Sequence, residues 1–405
     1  MDLPLETVDN PKFTAFDSFI RNLLEEKKIP GTVFLAYRQG KIEFLQKYGW
    51  QDKENNIPIS YSTIFRLYSM TKPITVIALL TLLEEGAFSL EDPISKYLPE
   101  FKDMMVFEKE ENGQMITKKA KKEITILDLL THTSGLCYGN YPTDPVEKLY
   151  QKVTDLEQKK SMQLKDIVSL LATMPLRFQP GDYFYYSYSI DVIARLIEIL
   201  SNTPFNKFLN ERVFQPLEMN DTSHHVPASK WDRFSKFYTY SAADGISEFN
   251  EPEIWKSYQD SNGIFYGGSG LSSTLKDYFN FAGMILNKGK FKGKQILQPQ
   301  TIELMTTNHL PQNKTILEYA FTKEPWIERL PGCGLGFSIR VLIDTKKTQM
   351  GLGTNGWAGF GNSVYWIDPV NQVIGIFLAQ VESFSMEPLL DHNTIWRLAY
   401  QGLNK

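Results

Sequence analysis

Two cysteines, Cys137 and Cys333, stand far apart in unlike contexts, so a disulfide framework has no support, although a single bridge stays open. No charge of one sign dominates: 43 Lys and Arg against 47 Asp and Glu leave about −4, which gives no electrostatic case for nucleic acid or an anionic membrane surface. No uncharged apolar run reaches membrane-spanning length, and the longest covers only residues 76–83. The start, Met-Asp-Leu-Pro-Leu-Glu, has neither a basic stretch nor an apolar core, so the expectation is a cytoplasmic protein. Of the five histidines (132, 224, 225, 309 and 392), none has metal-ligand spacing to acids or cysteines. A Gly-x-Ser-x-Gly elbow, a Walker loop and a Gly-x-Gly-x-x-Gly fingerprint are all missing. Metal and nucleotide cofactors are therefore not expected.

What remains is an ordinary globular composition, 42% hydrophobic and 22% charged, in a chain of 405 residues. That length can bury one large core or two packed lobes. Asn10-Pro11 reads as a cap and first helical residue, and Phe13, Phe16, Ile20, Leu23 and Leu24 stripe the helix that follows. Residues 32–37 and 42–48 read as strands joined by a hairpin turn at Arg38-Gln39-Gly40-Lys41. The charged stretch 107–123, with Asn112-Gly113 in its middle, reads as a solvated hairpin, and 89–101 as loop. Helical periodicity marks 163–171 and 190–200, whereas 234–260 reads as an irregular loop. Thr274-Leu-Lys-Asp277 predicts a capping box opening a helix through Leu286. Late strands are expected over 334–342, 361–367 and 373–381, then a final helix over about 386–401.

The chemistry centres on Ser69-Met-Thr-Lys72-Pro73, which precedes the apolar run. Ile74, Ile77, Leu80 and Leu83 have helical spacing, and Gly86 stands where a helix would end. Pro73 is tolerated only near a helix start, which places that start close to Ser69. Residues three apart share a helix face, so the Ser69 hydroxyl and the Lys72 amine can meet. Ser-x-x-Lys alone is a short motif that arises by chance about once per few hundred residues. Here it opens a helix apolar enough to be buried, and a poorly hydrated amine beside a serine is a general base beside a nucleophile.

Two further stretches could complete such a site. After Pro180-Gly181, five aromatics in six residues (183–188) could be loop packing, but a tyrosine at a loop tip could relay protons to and from a serine hydroxyl. Gly356-Trp357-Ala358-Gly359-Phe360-Gly361 could be an ordinary glycine-rich turn, or an edge that brings a backbone N–H close to a ligand.

With these stretches together, the chain resembles the serine β-lactamase and penicillin-binding-protein superfamily, within it the class C β-lactamase-related (family VIII) carboxylesterases and related acyltransferases. The likeness spans nearly the whole chain. It runs through Ile29-Pro-Gly31, Ser69-Met-Thr-Lys72-Pro, Leu129-Leu-Thr-His-Thr-Ser-Gly-Leu136, Tyr186-Ser187, Gly267-Gly-Ser-Gly-Leu271, Met305-Thr-Thr-Asn-His-Leu310, Gly334-Leu-Gly-Phe337 and Trp357-Ala-Gly359. The resemblance implies Ser69 as acyl-enzyme nucleophile, Lys72 as its proton partner, Tyr186 as the base working with Lys72, and an oxyanion hole from the backbone N–H groups of Ser69 and Phe360. Two departures bear on substrate. Tyr188 stands where class C β-lactamases carry the Asn of Tyr-x-Asn, and Trp357-Ala358-Gly359 stands where they carry Lys-Thr-Gly. The missing Lys would attract a β-lactam carboxylate and the missing Asn would bond its side-chain amide, so efficient β-lactam hydrolysis is not expected.

The expectation is therefore an α+β, β-lactamase/transpeptidase-like fold, an antiparallel sheet with flanking helices. The sheet domain would be built from residues 1–68 and 265–405 and a mostly helical domain from 69–264, with the active site between them. The expected reaction is hydrolysis of short-chain carboxylic esters through a Ser69 acyl-enzyme, with Tyr138, Tyr188, Trp357, Ala358 and Gly359 lining the substrate site. Transfer of the acyl group to an alcohol or amine is the alternative. A β-lactamase, a D-amino-acid peptidase or amidase, and a non-catalytic homologue stand behind it.

Overall fold

Gln39 and Gly40 both hold positive φ (48° and 91°), the geometry of a tight two-residue hairpin. They join strands β1 (Gly31–Arg38) and β2 (Lys41–Asp52), as the turn chemistry predicts. A short β3 (Ile57–Pro58) extends this hairpin. Five strands from the other end of the chain complete the sheet: β4 (Cys333–Leu335), β5 (Arg340–Leu342), β6 (Asn355–Ala358), β7 (Val364–Asp368) and β8 (Val373–Ala379). Their order is β4-β5-β6-β7-β8-β1-β2-β3, antiparallel at every pairing, so the first strand of the chain lies beside the last. The computed structural model describes every residue except 1, 2, 4, 5, 142, 158–161, 251–256, 262, 383–390 and 405.

β1 is buried over Gly31–Tyr37 because helices cover both faces of the sheet. Side chains alternate between faces with period two. Phe34 and Trp366 therefore face α1 (Thr14–Glu25) and the C-terminal helix, with Phe16 stacked on Phe34 at 4.0 Å and Trp396 6.5 Å from Trp366. Tyr37 and Tyr365 face the opposite way, onto Phe279 and Tyr278. Trp366 also lies across Gly375 on the neighbouring strand; a Cβ there would fall 2.0 Å from the indole, so only glycine fits.

Helix α2 (Lys72–Glu84) is buried on nearly every side, consistent with its unbroken apolar sequence, and Gly86 follows its end at φ 71°. It packs against α3 (Ser189–Ser201), whose C-cap Asn202 is left-handed. The 105–119 region forms the expected charged hairpin with Asn112-Gly113 at its tip.

Several expectations need correction. The single strand expected over 334–342 is two, because Phe337 and Ser338 turn away: their N–H groups bond to the Met305 and Leu130 carbonyls. Residues 238–248 form a hairpin rather than loop; residues 251–256 of that stretch lie outside the described residues. The 89–101 loop contains two 3₁₀ turns. Helix α4 (Leu275–Leu286) is capped by Thr274 at Asp277 N, but the Asp277 carboxylate turns to Asp221 N and Thr222 Oγ1. The last helix, α5, runs His392–Asn404, and the start expected at 386 falls outside the described residues. Cys137 and Cys333 are buried free thiols. Among the described residues no helix is long and apolar enough to cross a membrane, and no group of His, Cys, Asp and Glu is placed to hold a metal ion.

The core also carries a pH signature. Burial holds His132 well below the usual imidazole range, His224 down to about 4, His392 down to about 3, and lowers His309 as well. Each is stabilising while neutral, and that stabilisation is lost as pH falls below about 6.5, where the unfolded imidazole takes a proton. Two buried carboxyls pushed up to about 6, Asp191 and Asp277, act in the opposite sense, being relieved by acid. The histidines outnumber them, so the melting temperature should fall by several degrees between pH 7 and pH 5. A calorimetric melting series that stays flat over that range would show that these imidazoles are not buried neutral.

Candidate active site

Leu67 N donates to Leu271 O at 2.8 Å, and Phe65–Arg66 pairs with Ser272–Ser273, so the chain enters the site along a fixed backbone track. Tyr68 then takes a left-handed φ of 46°, which costs a non-glycine residue about 1–2 kcal/mol, and its ring is held by Phe237 and Phe360. Ser69 follows on a 3₁₀ turn (Tyr68–Thr71), and α2 itself begins at Lys72, slightly later than the sequence suggests.

Lys72, 1% exposed, donates from Nζ to Ser69 Oγ at 3.1 Å and to the Gly268 carbonyl at 2.7 Å. Neighbouring side chains hold the 267–271 backbone in place: Thr75 Oγ1 donates to the Gly267 carbonyl, and Thr71 Oγ1 accepts from Leu271 N. Gly267 is wedged against α3, where a Cβ would lie 2.3 Å from the Ile190 carbonyl. The glycine-rich stretch is thus the acceptor side of the lysine's site.

Tyr186 comes from the loop before α3. Its backbone neighbourhood is tied down by Gly181 N and Tyr185 N, which donate to the Thr133 and His132 carbonyls. The Tyr186 ring lies 4.5 Å from Lys72 Nζ, and Trp357 Nε1 donates to its hydroxyl at 3.2 Å. Strand β6 delivers Trp357 and Ala358. Gly359 passes so close to the Ser69 turn that a Cβ would lie 2.4 Å from the Leu67 carbonyl, and Phe360 packs on Tyr68 at 5.3 Å.

Ser69, Lys72, Tyr186, Tyr138 and Trp357 are therefore connected by direct contacts. Tyr138 lies 5.6 Å from Lys72 Nζ and 5.4 Å from the Tyr186 ring. Tyr188 is the N-cap residue of α3, with its ring 4.6 Å from Tyr138. Gly359 contributes the close backbone approach to the serine's turn, and Ala358, paired with Val364, ends the strand that leads into it.

Three residues of the site escape the sequence reading. Trp326 sits 5.6 Å from Tyr186 and 6.4 Å from Trp357, with no local motif to announce it. His132, which sequence spacing excludes only as a metal ligand, lies beneath Tyr186 at 4.9 Å. Its Nδ1 meets Ser187 Oγ at 3.4 Å and its Nε2 meets Ser338 Oγ at 3.1 Å, so the neutral ring is a buried platform between two hydroxyls. Asp191 reaches Gly268 N at 2.8 Å. This carboxylate follows Tyr186 closely in sequence, but nothing local tells where it points.

Chemically, a serine hydroxyl bonded to a dehydrated amine, with a phenol over that amine, can be activated as a nucleophile. The surroundings are aromatic: five rings, Tyr138, Tyr186, Tyr188, Trp326 and Trp357, form one contact chain.

The Beta-lactamase family model matches residues 16–398. Protein Rv1367c of Mycobacterium tuberculosis is 31% identical over 367 residues, covering 89% of this chain and 88% of that protein. Esterase EstB of Burkholderia gladioli is 31% identical over 207 residues, about half of each chain. Among solved structures, EstCE1, a hydrolase with promiscuous acyltransferase activity, superposes with a TM-score of 0.79 at 24% identity, over 96% of this chain and 98% of that one, which shows the fold.

Proposed function

The chain belongs to the Beta-lactamase family, and from that premise we propose that it is a serine hydrolase that cleaves short-chain carboxylic esters through an acyl-enzyme on Ser69. The observation that carries this reading is Lys72 Nζ, bonded to Ser69 Oγ at 3.1 Å with the Tyr186 ring 4.5 Å away. Ser69 Oγ attacks the ester carbonyl while its proton passes to the Tyr186–Lys72 pair. The tetrahedral oxyanion is held by the backbone N–H groups of Ser69 and Phe360. The C–O bond to the leaving alcohol breaks as that alkoxide takes the proton. Water then repeats the sequence on the acyl-enzyme, releasing the acid and restoring Ser69.

The substrate class follows from what faces Tyr186. An indole N–H is a neutral donor, so Trp357 can bond the phenol without offering a cation to a substrate carboxylate. The aromatic walls favour an uncharged, apolar acyl group. EstB, named an esterase, supports the hydrolase reading. Acyl transfer to an alcohol or amine is the second reading. It is favoured by the same apolar walls, which would keep water from the acyl-enzyme, and EstCE1 shares the fold and has promiscuous acyltransferase activity.

The test compares p-nitrophenyl acetate and butyrate with nitrocefin on the purified protein, with intact-mass detection of adducts. Ester turnover should exceed nitrocefin turnover by on the order of a hundredfold or more in kcat/KM. An acyl-enzyme that stalls in water and discharges on addition of an alcohol would move the assignment to transferase. Comparable turnover of nitrocefin would overturn the substrate reading.

A further inference from the structure

Asp191 is a buried carboxylate that the steps above leave unused. It lies in the first turn of α3, 2% exposed, and its Oδ1 accepts from Gly268 N at 2.8 Å. The carbonyl of the same Gly268 accepts from Lys72 Nζ at 2.7 Å. One residue's two backbone groups thus link the carboxylate to the amine that touches Ser69. The link leaves no room for a side chain: a Cβ on Gly268 would lie 2.8 Å from Asp191 Oδ2 and 3.1 Å from the Tyr138 hydroxyl.

The titratable groups around this link come from three elements. Lys72 projects from α2, His132 and Tyr138 from the segment after the Ile126–Leu130 helix, and Tyr186 and Tyr188 from the loop entering α3; burial and Lys72 keep His132 neutral. With His132 neutral, Lys72 alone of these can carry positive charge. An unpaired carboxylate in such a place is costly, so one that is kept there must be balanced by its surroundings.

We propose that Asp191 is the positioning residue of the Ser69–Lys72 pair: as a carboxylate it fixes Gly268 so that its carbonyl holds Lys72 against Ser69, and it balances the ammonium whenever Lys72 holds the proton taken from the serine. The inference rests on Ser69 being the nucleophile. Burial pushes the Asp191 carboxyl up to about 6, against the pull of Gly268 N–H and Lys72. The charged form is therefore complete only above that pH, and Ser69 reactivity should carry an acidic step there.

The experiment follows Ser69 itself rather than a chosen substrate. A fluorophosphonate probe forms an Oγ–P bond as fluoride leaves, and intact mass gives the labelling rate from about pH 5 to 8.5, a range that brackets the buried carboxyl. Wild type should lose reactivity below about pH 6. Asp191→Asn keeps the shape and an acceptor for Gly268 N, yet should label roughly ten- to a hundredfold more slowly at about pH 7.5, part of the 10²–10⁴ a positioned base supplies. Its step near pH 6 should vanish. Its melting temperature at about pH 8 should equal or exceed that of wild type, because a buried charge has gone. Gly268→Ala, which crowds the same carboxylate, should be slow as well. Wild-type labelling with an unchanged rate in Asp191→Asn, or with the acidic step retained, would overturn this inference and leave the nucleophile intact. A slow variant with a lowered melting temperature and the wild-type pH step would mark Asp191 as merely structural. No labelling of wild type at Ser69 would overturn the nucleophile reading, and this inference with it.

Discussion

Ser69→Ala should abolish ester turnover, with kcat falling by roughly 10⁴- to 10⁶-fold, the range seen when a serine nucleophile is removed from an acyl-transfer site. The reason is chemical rather than structural. The side chain is half-buried on a 3₁₀ turn, and the described contact it loses is the one from Lys72. Alanine fits the same backbone, so the melting temperature should stay within about 2 °C, as for most substitutions that open no cavity. Intact mass should show no covalent adduct with any ester or fluorophosphonate. Residual turnover above about 1% of wild type, or an adduct mapped to another residue, would remove Ser69 from its place in the mechanism.

The second large effect is expected at Tyr186 and Lys72. Tyr186→Phe keeps the ring that lies over Lys72 and between His132 and Trp326, and removes only the hydroxyl that accepts from Trp357. A loss of roughly 10²–10⁴ in kcat with KM little changed is the outcome for a group that handles a proton only in the transition state. Lys72→Met should lose a comparable factor. It also leaves the Gly268 carbonyl without its lysine donor, so some stability should go with it. On the proposed mechanism the two side chains act as one proton-handling unit, so the double variant should be little worse than the poorer single one. Fully multiplicative losses would mean that they act in separate steps.

What could be read from sequence and what could not divide along a physical line. The serine turn, the buried helix behind it, the Gln39-Gly40 hairpin and the α1 stripe are set by residues within a few positions of one another, so propensity, caps and periodicity carry them. The break at Phe337–Ser338 is different. It arises because Met305 and Leu130, distant in sequence, offer carbonyls to those two N–H groups. The hairpin over 238–248 is hidden by weak alternation in short strands. The site divides in the same way. Lys72 and Ser69 are three residues apart and legible together. Trp357 reaches Tyr186 across 171 positions, and Gly268 reaches Asp191 across 77. Only the family resemblance could bring the first pair into view, and nothing in the sequence joins the second.

The pairing of β1 with β8 has a consequence for how the molecule is made. Thr32 Oγ1 donates to the Leu378 carbonyl, 346 positions later, and every residue from Thr32 to Arg38 has its partner in the strand Val373–Ala379. A ribosome adding about 5–20 residues per second needs roughly 17–70 seconds to travel that distance. Through that interval the amino-terminal hairpin has one bare edge, rich in Val, Phe and Leu, of the kind that recruits other strands. Trp357 and Phe360 emerge 288 residues after Ser69 and Lys72 respectively (357 − 69 and 360 − 72). The nascent chain thus carries Ser69 and Lys72 long before it carries Trp357, and a chain cut short of β8 would hold the serine turn without the strand that joins β7 to β1.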